Sequence, residues 1–344
     1  MSKLRSARFL IVPALFLLAT GAVASRTLFA PIETAKIDIA VLDALDKSAM
    51  IPVIVKMKVQ ADVASIERAK LPRAERQKRV YDALRNLAIE NQAEIVKLLE
   101  TNPATKFRRF YIANMIAIFN ADASLVRTLA ARSDVEKIYG NPSIALDRPS
   151  LGDRIELALT SGRSLDVIGD NILFTKAEQV WQKYGKAGEG IVIAGQDTGV
   201  EFDHPALINQ YRGKGGDHNY NWHDAIHAST PAGGGNRCGY DLSIPCDDGD
   251  HGTHTVGTVV GSDGGDNVIG MAPKAQWIAC RNMDGGAGTP ASYIECFEWL
   301  LAPYAYGADP MRDGRTDKAP HIINNSWGCP ESEGCSADVT APAM

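Results

Sequence analysis

Apolar positions recur with two different spacings along this chain, and the change of spacing divides it. From about Ile51 to Gly140 the pattern reads strand, long helix, strand, short helix, strand. Ile51 to Val59 is dense in Ile and Val, as a half-buried strand requires. From Arg73 to Glu100, Val80, Leu84, Leu87, Ile95 and Leu98 fall at helical spacing, and Pro103 closes the segment. Phe107 to Phe119 is aromatic and β-branched, which predicts one extended strand. Asp122 is placed to cap a short helix carrying Leu125 and Leu129, and Val135 to Tyr139 makes a last strand. The order predicts a small α+β (ferredoxin-like) unit with its helices on one face of the sheet. Acidic residues are interspersed with the basic ones on the long helix, so its charge reads as a solvated face and not as a nucleic-acid stripe.

Residues 143–170 are polar and without periodicity, which predicts a linker. Beyond it glycines crowd in and strand-like runs alternate with helical ones. Gly190 to Gln196, Trp277 to Cys280 and His321 to Asn325 read as strands, His251 to Val260 as a helix start, and Ser292 to Leu301 as an amphipathic helix. Alternation of this kind predicts an α/β fold, a mostly parallel sheet with helices on both faces.

Composition changes this picture little. The chain has 344 residues, 45% of them hydrophobic and 22% charged, with a formal charge of -5. So mild a charge argues against nucleic acid or an anionic membrane as partner. The N-terminus says more. Lys3, Arg5 and Arg8 precede an apolar run, Phe9 to Ala19, and Ala22-Val23-Ala24 has the small-x-small form that a signal peptidase cuts. We expect residues 1–24 to be a signal peptide and the protein to be secreted, extracellular or periplasmic. No other run approaches the roughly 20 apolar residues of a spanning helix, so stable membrane insertion is not expected. All six cysteines, Cys238, Cys246, Cys280, Cys296, Cys329 and Cys335, lie near the C-terminus. An even set in an exported chain suggests disulfides, without fixing their pairing, and buried thiols remain open for Cys280 and Cys296. No CxxC pair is present for zinc.

Two motifs carry chemistry. In Ile191-Val-Ile-Ala-Gly-Gln-Asp197-Thr-Gly-Val200 an apolar strand delivers one carboxylate at its C-terminal end, where parallel sheets place working groups. An aspartic protease would need a second Asp-Thr-Gly or Asp-Ser-Gly, and none occurs. In Asp250-His251-Gly252-Thr253-His254-Thr255-Val256-Gly257-Thr258 small residues surround a histidine at a helix start, leaving its ring accessible. No Glu stands between the two histidines, as a metalloprotease helix requires.

Together these motifs resemble the subtilisin-like serine proteases, peptidase family S8, whose triad runs Asp, His, Ser along the chain. The similarity extends from about Asn171 to the end. It includes His204-Pro205, Gly270-Met-Ala-Pro273 and Ile323-Asn-Asn-Ser-Trp-Gly328, and it is closest to the bacterial branch that includes bacillopeptidase F. The resemblance implies His251 as general base and Asp197 as the group that orients it, with His254 structural. Ser326, Trp327 and Gly328 match one substrate-binding strand, and Met283 to Thr289, with Gly286 and Gly288, match the opposite edge. Residues 25–142, with a core at about 51–140, resemble the family's inhibitor-like propeptide, and 171–344 the first part of its catalytic domain. The partners implied are protein or peptide substrates and the chain's own propeptide, as in a zymogen.

The family's Ala-Gly-Asn segment, which carries the oxyanion Asn, and its Gly-Thr-Ser segment, which carries the nucleophile, are not among these residues. Ser326 matches a binding strand and cannot replace that serine. The expectation is therefore a fragment of a longer precursor, inactive as it stands, and the rival is a non-catalytic, inhibitory or binding pseudoprotease. No cofactor is required for the chemistry. A structural calcium is possible in such a family at an unknown site; Asp247, Asp248 and Asp250 form an acidic loop that reads first as a solvated turn.

Overall fold

The structure is a computed structural model that describes residues 31–146, 168–265 and 267–344. The signal peptide expected at 1–24 lies outside the described residues.

The first unit runs α1 (Pro31–Lys36), α2 (Ile39–Leu45), β1 (Ile51–Met57), α3 (Val63–Arg68), α4 (Arg73–Glu100), β2 (Phe107–Phe110), β3 (Met115–Ala121), α5 (Ala123–Ala130) and β4 (Val135–Gly140). Its sheet has the order β2-β3-β1-β4 with antiparallel neighbours throughout. Asp122 caps α5 by accepting the Leu125 amide at 2.7 Å. The single strand expected over Phe107 to Phe119 is instead a hairpin. Tyr111 to Asn114 form the turn, and Asn114 adopts φ 44°, a left-handed conformation that asparagine tolerates.

β1 alternates between two cores. Val53, Val55 and Met57 face Ile95 and Leu99 of α4 and Val126 and Leu129 of α5. Ile54 joins Phe110, Tyr111, Met115 and Tyr139 in a second cluster, which also holds residues of the C-terminal unit. A sheet buried on both faces explains why its strands read as near-continuous apolar runs.

The chain then forms β5 (Ile144–Ala145), α6 (Asp170–Thr175), α7 (Ala177–Tyr184), β6 (Val192–Asp197), β7 (Trp222–Asp224), α8 (His251–Val260), β8 (Gln276–Arg281), β9 (Met283–Asp284), β10 (Ala287–Gly288), α9 (Pro290–Leu301), β11 (Ile322–Asn325) and α10 (Ala337–Thr340). Four strands make a parallel sheet in the order β11-β6-β8-β7. One face, with Ile193, Trp277 and Ala279, packs on Val256 and Val260 of α8. The other, with Ala194, Ile278 and Cys280, packs on Cys296, Trp299 and Leu300 of α9. Helices thus cover both faces. Among the described residues no helix is long and apolar enough to cross a membrane.

Two expectations need correction here. α9 is not amphipathic: every residue from Pro290 to Leu300 is buried, including Glu295 and Glu298, because the parallel sheet covers one side and the α+β unit the other. The stretch read as a linker opens with a strand, β5, which joins β10 and β9 in a small antiparallel sheet. The cysteines pair Cys238–Cys246, Cys280–Cys296 and Cys329–Cys335, with Cα atoms 5.9, 5.7 and 5.4 Å apart. Cys280 and Cys296, for which free thiols were open, join β8 to α9.

Candidate active site

β6 ends on Asp197, and α8 begins on His251, so strand and helix termini bring the two side chains together. His251 Nδ1 lies 2.8 Å from Asp197 Oδ1 and 3.0 Å from Oδ2. The buried carboxylate also accepts the Thr198 amide at 2.7 Å and the Thr255 hydroxyl at 3.2 Å. Three donors, His251 touching both oxygens, fix the position of the carboxylate. Gly252 permits the close approach: a Cβ there would lie 2.0 Å from the Gly199 carbonyl oxygen and 3.0 Å from Asp197 Cβ. The glycine of the His-Gly-Thr motif is thus a packing requirement of the pair. His254 lies further along α8 and is exposed.

The acidic loop is solvated only at Asp250, which is exposed; Asp247 and Asp248 turn inward. Asp247 accepts from the Thr198 hydroxyl (2.7 Å), the Gly249 and Asp250 amides (each 2.9 Å) and the Thr253 amide (2.8 Å) and hydroxyl (2.5 Å). Asp248 is buried against Arg281, and Asp250 pairs with Arg237 at 2.6 Å. Among the described residues no group of three or more His, Cys, Asp or Glu is placed to hold a metal ion.

The two predicted peptide-binding edges flank this pair. Ser326 to Gly328 follow β11 but form no strand. Ser326 Oγ accepts from Asn324 Nδ2 at 3.0 Å. Trp327 donates its indole N–H to the Gln196 carbonyl at 3.0 Å, one residue before Asp197. Its ring stacks on Tyr293 at 3.9 Å between centroids, and a Cβ at Gly288 would lie 2.3 Å from that same tyrosine ring. Gly286 (φ 90°) closes the β9–β10 turn. The edge is occupied by the chain itself: Ala145 pairs with Ala287, Ile144 with Gly288, and the Leu146 amide donates to the Gly286 carbonyl at 2.7 Å. Nothing in the polar stretch 143–170 marks this pairing, which arises only from the fold.

Sequence reasoning also missed how the α+β unit is held. Arg108 of β2 reaches Glu295 of α9 at 2.8 Å, and His223 and His227 reach the same carboxylate at 2.7 and 3.0 Å. Burial works against ionising Glu295, but Arg108 and His227 outweigh it and hold its carboxyl well below the usual range. Burial likewise opposes the charge on His227, yet Glu295 lifts it to about 9. Glu298 accepts the Tyr111 and Ile112 amides at 2.5 and 3.1 Å, and burial pushes its carboxyl up to about 8. Arg108→Ala should therefore lower stability by roughly 2–3 kcal/mol, less than an unrelieved buried charge because His227 stays beside Glu295. The denaturant midpoint of the purified chain measures this, and an unchanged midpoint would show that the pair does not hold the units together.

A parallel α/β sheet that sets an aspartate at one strand end against a histidine at a helix start, in that chain order, defines the subtilisin-like class. Residues 188–342 match the model of the Subtilase family, and this part of the chain belongs to that family. The chain is 32% identical to bacillopeptidase F of Bacillus subtilis over 287 residues, covering 78% of this chain and 19% of that protein. It is 28% identical to the minor extracellular protease Vpr of the same species over 193 residues, 55% of this chain and 21% of that one. The chain thus spans about a fifth of the length of each of these relatives. Among solved structures, the epidermin leader peptide processing serine protease of Staphylococcus aureus aligns with 86% of this chain and 56% of its own, at 14% identity and a TM-score of 0.54.

Proposed function

We infer that the chain is the N-terminal part of a secreted subtilisin-like serine endopeptidase precursor: signal peptide, inhibitory propeptide, and the first part of a catalytic domain that hydrolyses peptide bonds. The observation that carries this reading is the Asp197–His251 pair standing beside an edge strand already filled by the chain's own Ile144–Ala145. Asp197 holds the proton on Nδ1, so the lone pair falls on Nε2, where it takes the hydroxyl proton of an attacking serine. The imidazolium that forms is stabilised by the buried carboxylate and returns its proton to the leaving amine. A substrate would add as a strand to β10 and face Ser326–Gly328, drawing affinity from its main chain.

The α+β unit fits the propeptide role because it packs on α9 and delivers its own C-terminal extension into the substrate edge. The alignment with bacillopeptidase F covers 78% of the chain, so it extends well before residue 188. Three disulfides and the N-terminal pattern support export. The intact geometry of the pair favours the enzyme over the non-catalytic alternative. As given, the chain lacks the Gly-Thr-Ser and Ala-Gly-Asn segments, so we expect no peptide turnover from it. Reading the source transcript past codon 344 tests the proposal. A frame that continues into those two segments supports it, whereas a stop codon there would leave a protein without the nucleophile. Turnover by the purified chain, abolished by His251→Ala, would overturn the expectation of inactivity.

A further inference from the structure

Two consecutive carboxylates of the acidic loop face in opposite directions. Asp247 grips Thr198 and Thr253, the neighbours of Asp197 and His251. Asp248, whose side chain has no solvent exposure, accepts from Arg281 Nη2 at 2.5 Å and from the Gly285 amide at 2.9 Å through the same oxygen, Oδ2. Gly285 (φ 54°) opens the turn that carries Gly286 and β10. Arg281, also wholly buried, is the last residue of β8 and stands opposite Asp197 in the parallel register. Its Nη1 reaches Asp224 at 3.2 Å and the Gly239 carbonyl at 2.9 Å, and Asp224 accepts the Ile226 and Leu242 amides, each at 3.0 Å. The guanidinium thereby ties the ends of β7 and β8, the loop before His251 and the β9–β10 turn into one body.

We propose that Asp248 and Arg281 are positioning residues, a buried ion pair that fixes the Gly285–Gly288 edge relative to His251. The inference rests on reading Asp197 and His251 as the working pair and this edge as the substrate edge. β9 and β10 are two residues each, too short for their own ladder to hold them in place. A peptide bound to that edge is placed only as well as the edge is, and small displacements of a reacting group are costly. Asp247 and Asp248 are joined by one peptide unit, so a shift at the edge passes directly to the loop that clamps His251. The forked guanidinium matters as much as its charge, since separate nitrogens serve Asp248 and Asp224.

The experiment uses the whole chain with Asp248→Asn, which keeps the shape and loses the charge, and Arg281→Lys, which keeps the charge and loses the fork. Amide exchange is followed at Leu146, bonded to Gly286, and at Val55 and Ile116 of the β1–β3 pair as internal controls. The Nδ1–H proton signal of His251 is recorded on the same samples. Each variant should speed exchange at Leu146 by about tenfold or more, leave the controls within about twofold, and shift the His251 signal. Unchanged exchange at Leu146, or equal acceleration at all three amides, overturns the proposal, the second because it marks a general core role. The underlying reading fails separately: it is lost if the unsubstituted chain shows no His251 Nδ1–H signal that Asp197→Asn removes.

Discussion

In a form of the protein that carries a nucleophilic serine downstream of Ser326, Asp197→Asn will lower kcat by about 10⁴-fold and leave KM nearly unchanged. The size of the effect follows from which nitrogen holds the proton. Asp197 accepts from His251 Nδ1 through both oxygens, and the Thr198 amide and Thr255 hydroxyl keep the carboxylate turned toward it. An asparagine fits the same space but presents an N–H to the ring, which then carries its proton on Nε2 and can no longer accept one from the serine. The edge proposed for the substrate, β10, does not include Asp197, so the loss should fall on the chemical step. Steady-state kinetics on a peptide substrate measures it. A loss smaller than about tenfold would mean that His251 is not the general base.

The second large effect concerns pH. Glu298 is wholly buried and its carboxyl rises from the ordinary 4.5 to about 8 in the folded chain. The folded state therefore binds this proton more tightly than the unfolded one. Its contribution to stability is complete below about pH 4.5 and declines until the pH passes about 8. The whole span corresponds to about 5 kcal/mol. His227, lifted from 6.5 to about 9, acts in the same direction: its contribution is complete below about 6.5 and lost through about 9. Urea midpoints should thus fall between about pH 6 and about pH 9, and Glu298→Gln should remove roughly half of that fall and leave the part carried by His227. A slope equal to that of the unsubstituted chain would show that Glu298 is already ionised against the Tyr111 and Ile112 amides.

What could be read from the sequence was what local chemistry dictates. The long helix at 73–100, the Asp122 cap and the strand ending on Asp197 all followed from periodicity and capping. The Asp197–His251 pairing followed from motif context, and the structure brings the two into hydrogen-bond range. The failures are mostly long-range. α9 read as amphipathic because Glu295 and Glu298 look like a solvent face until Arg108 and the β2–β3 turn are brought against them. The run Phe107 to Phe119 read as one strand because Tyr111 and Ile112, which form its turn, are themselves good strand residues. Arg281 drew no notice, since no spacing in the sequence announces a guanidinium shared by Asp224 and Asp248 across three segments of chain.

The two-residue strand Ile144–Ala145 is weak by any measure of hydrogen bonding, yet it fills the edge proposed above for a substrate. Its strength comes from tethering. Held to α9 by the α+β unit, it meets the edge at an effective concentration of about millimolar or more, far above that of a typical free peptide. Occupancy is then a matter of connectivity more than of affinity. A single cut in the chain after residue 146 would break no contact in the edge, yet it would turn retention of the strand into a bimolecular equilibrium that dilution drives toward release.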